Sequence, residues 1–294
     1  MDNLRGILLM NLSMALFALA DMFIKLASGT MGRGQVILAL GVGGTVIFAT
    51  MALVQGRRLH DPLVWHRAVV LRNVMEVVGV AGMVSALALA PLSTVAAILQ
   101  AAPLTVTLGA ALFLREPVGW RRWVAIVTGF AGVLLVVRPG VAGFEPAALL
   151  AVVGMFGLSA RDLCTRAAPA GLSNAVLGTW AHLAILPCGL AWALAFDGAL
   201  LPAEPQWWLI AGLVGFGISG YLAITAAVRA APISVVAPFR YSRLVFAMAL
   251  GVVVFGERPD AATLAGSALI IGSGLYALWR ESRRRRLHST GPAG

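Results

Sequence analysis

"ALAPLSTVAAI" (residues 88–98) comes back further along the chain as "AAPISVVAPF" (230–239). Sliding the sequence by 141 positions lays Ala90-Pro91 on Ala231-Pro232, Ser93 on Ser234, and Val95-Ala96 on Val236-Ala237. The same shift, without a gap, lays Asp21 on Asp162, Lys25 on Arg166, Gly79 on Gly220 and Glu116 on Glu257. Self-similarity at one long spacing is the mark of a duplicated structural unit. What was duplicated follows from the composition.

Of 294 residues, 60% are hydrophobic and 12% charged, with a mean hydropathy of +0.91. A soluble domain carries about a quarter charged residues. Apolar runs of the length that crosses a hydrocarbon core recur near 6–28, 33–54, 66–89, 92–114, 120–137, 146–167, 172–196, 206–230, 232–255 and 260–280. The first run lacks a small-residue cleavage site and reads as a retained span. Short connections with turn residues, such as Pro139-Gly140 and Pro259, leave no room for an ATP-hydrolysing domain. The fold class is therefore all-α and polytopic, with ten transmembrane helices. Each repeat holds five spans, an odd number, so the second half enters the bilayer from the opposite side. The expected organisation is a five-helix repeat over 1–140, an inverted one over 141–282 around a central cavity, and a basic cytoplasmic tail over 283–294.

The net charge of +10 is gathered in loops and tail. Arg57, Arg58, Arg67, Arg115, Arg121, Arg122, Arg229 and the tail arginines fall on one face of a ten-span chain. This is the positive-inside pattern: it places both termini in the cytoplasm, makes the bilayer the charged chain's partner and excludes nucleic acid. Cys164 and Cys188 read as packing residues. Trp65, Trp120, Trp123, Trp207, Trp208 and Trp279 fall at span ends, as interfacial belts do. The oligomeric state is left open, a monomer being compatible with everything above.

Charges inside the spans are costly and need a reason. Asp21 and Lys25 share a helix face, and Asp162 and Arg166 repeat them near the opposite mouth. Two readings stand: a gate whose acid–base pairs exchange partners, or intrahelical pairs near a membrane boundary. Asp21 and Asp162 are also the candidates for proton coupling. Glu76, with Arg72 and Asn73 close by, lies about 15 Å into the third span. It is either paired with Arg72 or a counter-charge for a substrate ammonium. Arg240 and Arg243 sit about 12 and 16 Å beyond Pro232, and their repeat partners Leu99 and Ala102 are apolar. A symmetric conformational device would appear in both halves; a substrate site need not. Lys25, Arg72, Arg161, Arg166, Arg240 and Arg243 outnumber Asp21, Glu76 and Asp162 by three, which favours an anionic guest. Arg240 or Arg243 is expected to receive a substrate carboxylate through the guanidinium fork; the alternative is that Asp162, Glu76 and backbone carbonyls pin them. Phe17, Tyr221, Tyr241 and Gln100, the repeat partner of Tyr241, are candidates to complete the pocket. His182 and Trp180 in the seventh span read as hydrogen-bonded scaffold. Gly41, Gly43 and Gly44, and Gly212, Gly215, Gly217 and Gly220, read as close helix contacts.

With the turns "LREPVGW" (114–120) and "GERPDAA" (256–262), the duplicated motifs resemble the drug/metabolite transporter superfamily, EamA-type, over essentially the whole chain. The bacterial aromatic amino-acid exporters are the most similar group within it. The resemblance implies a secondary transporter working by alternating access, with a cavity built from the first, third and fourth helices of each half, and no cofactor. It also implies export of small organic solutes, amino acids and related metabolites, across the bacterial inner membrane. Organic anions or nucleotide-like metabolites such as S-adenosylmethionine are the alternative cargo. An intramembrane enzyme is the rival class. Against it, there is no H-E-x-x-H metal motif, and His60, His66, His182 and His288 are scattered.

Overall fold

The computed structural model describes residues 3–116, 118–141, 144–202, 204 and 206–289, with side chains described up to residue 280. Among the described residues, ten helices are long and apolar enough to cross a membrane: α1 (Asn3–Ala27), α2 (Arg33–Val54), α3 (Arg67–Leu89), α4 (Leu92–Phe113), α5 (Trp120–Val137), α6 (Ala147–Arg166), α7 (Asn174–Asp197), α8 (Trp207–Ala230), α9 (Ile233–Phe255) and α10 (Ala261–Arg280). The backbone of α10 stays helical to Ser289. The basic side chains expected over 283–294 lie outside the described residues.

Helices dominate because in hydrocarbon each backbone amide must be satisfied within its own segment. The turns between them are capped locally: Ser173 Oγ accepts from Val176 N and Asp260 Oδ1 accepts from Thr263 N. Trp65, Trp120, Trp207 and Trp208 are exposed at helix ends, where amphipathic rings are stable at a membrane boundary.

The packing repeats about a pseudo-two-fold axis. α3 lies along α6 and α1 along α8; these two contacts exchange under the 141-residue shift. α2–α7, α4–α9 and α5–α10 each map onto themselves. Single atoms obey the same rule. A Cβ at Gly79 would lie 2.8 Å from Leu158, and one at Gly220 would lie 3.0 Å from Phe17, the repeat partner of Leu158. The duplicated halves are thus interleaved, each helix of one half leaning on the other half.

Two spans differ from the continuous helices expected. α4 is helical over Leu92–Leu99, turns at Gln100 and Ala101, and resumes over Ala102–Phe113 with Pro103 in its first turn. α9 is helical over Ile233–Val236, tightens to a 3-10 turn over Ala237–Tyr241 around Pro238, and resumes over Ser242–Phe255. Proline has no N–H to donate and collides with the preceding turn, so carbonyls are released at each break. The breaks match under the repeat and meet: Gln100 Nε2 donates to the Arg240 carbonyl at 3.3 Å. Interrupted helices at corresponding positions of two halves are where a cargo site is built.

Candidate functional site

On the face away from the chain ends, the turn that follows α9 is tied to the start of α4. Glu257 sits after a left-handed Gly256 (φ +64°), and this turn aims its carboxylate at the start of α4. There it accepts from Leu92 N (2.5 Å), Ser93 N (2.9 Å) and Ser93 Oγ (2.7 Å). A carboxylate at a helix N-terminus is favoured by the free amides and the helix dipole. Lys25 Nζ stands 3.9 Å from Glu257 and donates to the carbonyls of Ala90 (2.6 Å) and Leu87 (3.4 Å). Lys25 therefore does not pair with Asp21; its stem carries the ammonium toward the unsatisfied end of α3. Beside this clasp, a chamber of 170 Å³ opens outward past Arg138, Glu145 and Asp260.

Asp260 holds the start of α10 and pairs with Arg138 at 2.6 Å. The Thr263 backbone amide, then Arg138, draws its carboxyl below the usual carboxylate range. A carboxyl lowered by folding stabilises the fold above its unfolded pKa, and that contribution disappears as pH falls through the folded value. Asp260→Ala should cost about 1 kcal/mol at neutral pH. The gap between the wild-type and variant melting temperatures should narrow as the pH falls below about 3.9, where an unfolded Asp takes up its proton, and on through the lower folded value.

A cavity of 530 Å³ lies in the half of the bundle nearer the chain ends. One wall is ionic. Glu76 on α3 is held by Arg161 on α6 at 3.3 Å and by Arg72 one turn away at 3.8 Å. Arg72 is anchored in turn to Thr165 Oγ1 (3.1 Å), Asn73 Oδ1 (3.2 Å) and the Leu177 carbonyl (3.2 Å). Arg161 also pairs with Asp162 at 2.9 Å. The other wall is aromatic. Phe48 stacks on His182 with centroids 5.1 Å apart and meets Tyr221 edge-on at 5.1 Å. His182 Nδ1 donates to the Gly178 carbonyl at 2.8 Å, so it is scaffold and wall together.

Arg243 grips Asp21 in a bidentate pair, Nη2 to Oδ1 at 2.9 Å and Nε to Oδ2 at 3.1 Å. Its guanidinium lies 5.3 Å from the centre of the Phe17 ring. Arg240 is different. No carboxylate pairs with it among the described residues, and its side chain is exposed although it sits among the helices. A second chamber of 400 Å³, bounded by α4, α6, α9 and α10, explains this. Arg240, Asp162 and Thr165 line both chambers and form the partition between them. Arg240 and Asp162 thus face the same two chambers, with no ion pair between them among the described residues.

The sequence candidates therefore divide. Phe17, Glu76, Tyr221, Asp162, Arg240 and Arg243 line the larger cavity. Tyr241 and Arg166 line the second chamber, and Gln100 supports the break behind Arg240. Of the two readings open for Glu76, the pair with Arg72 is the one that forms, with Arg161 added to it. Arg243 is pinned, by Asp21 and not by Asp162 or Glu76. The intrahelical pairs need correction: Lys25 bonds to the end of α3 and stands by Glu257 instead of Asp21, and Asp162 bonds to its chain neighbour Arg161 while Arg166 lines the second chamber. The larger cavity also draws on α2 and α7, through Phe48 and His182, while α4 lines the second chamber. Phe48 went unread because a phenylalanine in an apolar span looks like packing. Arg161 carried a signal, an in-span cation beside an in-span acid.

A family model described as the EamA-like transporter family matches residues 4–138 and 145–279. A riboflavin transporter of Vibrio cholerae is 32% identical over 226 residues, 76% of this chain and 74% of its own. An S-adenosylmethionine uptake transporter of Rickettsia felis is 26% identical over 73% of this chain and 72% of its own. A pseudopaline exporter of Pseudomonas aeruginosa is 26% identical over 90% of this chain and 93% of its own. A solved crystal structure with 20% identity superposes with a TM-score of 0.64 over 95% of this chain and 98% of its own.

Proposed function

Because this chain belongs to the EamA-like transporter family, we propose that it is a secondary transporter of the bacterial inner membrane for solutes that join an α-amino-acid head to a planar ring. It works by alternating access and exports its cargo, with the basic face and both termini in the cytoplasm. Arg240 carries the reading: an arginine without a carboxylate partner, open to two chambers at a helix break. Its planar fork suits a carboxylate; Asp162 beside it, bonded to Arg161 through Oδ1 but with a side chain 44% exposed, suits an ammonium; and the Phe17, Phe48 and Tyr221 rings suit a flat apolar body. Nothing is transformed in this cycle, so the protein acts as a carrier and not as an enzyme.

Aromatic amino acids meet this description with the fewest atoms. S-adenosylmethionine has the same head and a larger ring system, and the Rickettsia relative's name supports it as a second cargo. Riboflavin, named for the Vibrio relative, has the ring system without the amino-acid head, which makes it the discriminating probe. The test is uptake and efflux in proteoliposomes with tryptophan, phenylalanine, S-adenosylmethionine, riboflavin and a phosphorylated sugar. Transport of the amino-acid solutes should fall at least about tenfold in Arg240→Ala, the loss of one charge-assisted fork, with Asp162→Asn acting in the same direction. Equal transport of those solutes by wild type and Arg240→Ala would overturn the assignment.

A further inference from the structure

We propose that Glu116, Ser234 and Arg166 form a second clasp, open in this structure, that shuts the basic face when the clasp of Glu257, Ser93 and Lys25 on the other face is released. The proposal extends the alternating-access reading from a cavity to the residues that close it.

The closed clasp supplies the pattern. Glu257 binds the Ser93 hydroxyl at 2.7 Å and stands 3.9 Å from Lys25. Under the 141-residue shift Glu257 becomes Glu116, Ser93 becomes Ser234, and Lys25 becomes Arg166. Each substitution preserves the chemistry: an acid for an acid, a hydroxyl for a hydroxyl, a cation for a cation. Most of the charged residues lining the cavity break this symmetry. Arg72, Glu76, Arg161, Arg240 and Arg243 all map onto uncharged residues. A symmetric trio inside an asymmetric charge pattern points to a task that both faces share, and closing is such a task.

The loop that presents the acid is already built in both halves. Glu257 N donates to the Gly251 carbonyl at 3.0 Å, and Glu116 N donates to the Ala110 carbonyl at 3.2 Å. The residue before each acid is left-handed, Gly256 at φ 64° and Arg115 at φ 54°. A non-glycine residue holds that conformation only where the surroundings demand it. Yet the second trio is unengaged. Glu116, Ser234 and Arg166 are all exposed, no side-chain bond joins them among the described residues, and Ser234 and Arg166 stand on the wall of the open second chamber. The chain has a preformed acid, a hydroxyl and a cation on one face, and the bonded version of the same three on the other.

The test uses purified protein in nanodiscs with Cys164→Ala and Cys188→Ala and one reporter, Thr107→Cys, on the wall of the second chamber. The initial rate of maleimide labelling reports how often that chamber is open, and it needs no knowledge of the cargo. Glu257→Gln should slow labelling about tenfold, the population change that follows loss of one charge-assisted hydrogen bond. Adding Glu116→Gln to Glu257→Gln should restore the original rate, since neither face can then be held shut. Ser234→Ala in the same background should restore it as well. A rate that stays slow in both double variants overturns the proposal, as does a Glu257→Gln protein that labels like its parent. Labelling is read without cargo and with Arg240 intact, whereas the cargo site is read by transport in Arg240→Ala, so the two ideas can fail separately.

Discussion

Replacing Arg243 with methionine should destabilise this protein more than replacing Arg243 and Asp21 together. Asp21 is 5% exposed, and the Arg243 fork supplies its hydrogen bonds from a helix in the other half of the chain. With the guanidinium gone, a carboxylate stays in a low-dielectric bundle without a counter-charge. Removing one member of a buried pair costs about 3–5 kcal/mol, whereas exchanging both for neutral residues of similar volume is often close to neutral. Arg243→Met should therefore lower the melting temperature in detergent sharply, and Arg243→Met with Asp21→Asn should recover more than half of the loss. Equal melting temperatures for single and double variants would show that the pair has no structural role. Arg240→Ala provides the contrast: it breaks no ion pair, so the melting point should hold while carboxylate transport fails.

That contrast also marks where the sequence stops being readable. Two arginines three residues apart on one span look equivalent, and only their neighbours separate them. Arg243 comes against Asp21 because α1 packs along α9; Arg240 falls at the proline-broken turn, where Asp162 shares its chambers but no acid forms an ion pair with it among the described residues. Lys25 shows the same limit. Asp21 lies one turn away along the helix, but Lys25 bonds to carbonyls at the end of α3 and to Glu257. Long-range partners depend on how each helix is rotated, and a hydrophobic run says little about rotation when all its faces are apolar. Span number and inversion were readable because they need only the 20-residue runs and the single register that joins Ala90-Pro91 to Ala231-Pro232. The glycines of α8 mark the boundary. Gly212 and Gly220 do press against Phe23 and Phe17, but Gly215 has nothing within 4 Å of its would-be Cβ and Gly217 looks into the cavity. Composition announced small residues; geometry alone tells which of them touch.

Gly157 is where such contact matters most for the site, and Gly157→Leu should be among the most damaging substitutions in the chain. A Cβ there would stand 2.6 Å from Gly79 N and 2.8 Å from Gly79 Cα. Both are backbone atoms, so no side chain can rotate away, and α3 and α6 must separate instead. One turn along, Gly82 and Gly154 approach as closely, with a Cβ at Gly82 lying 2.7 Å from Gly154 N. In a bilayer, where no hydrophobic effect drives helices together, this close van der Waals contact is what associates them. Overpacking by one methyl costs about 1–3 kcal/mol, so Gly157→Ala should melt measurably early and Gly157→Leu should exceed that range. Gly215→Ala, at an open position on another helix, should stay near wild type. Damage should also reach the cavity. Glu76 is on α3 and Arg161 on α6, and their 3.3 Å ion pair survives only while the two backbones stay in register. Gly157→Ala should therefore reduce transport by more than its loss of folded protein explains, through the loosened ionic wall. If Gly157→Leu melts with the wild type, the α3–α6 seam is not what holds Glu76 against Arg161, and the rigidity of that wall must come from the α7 contacts of Arg72.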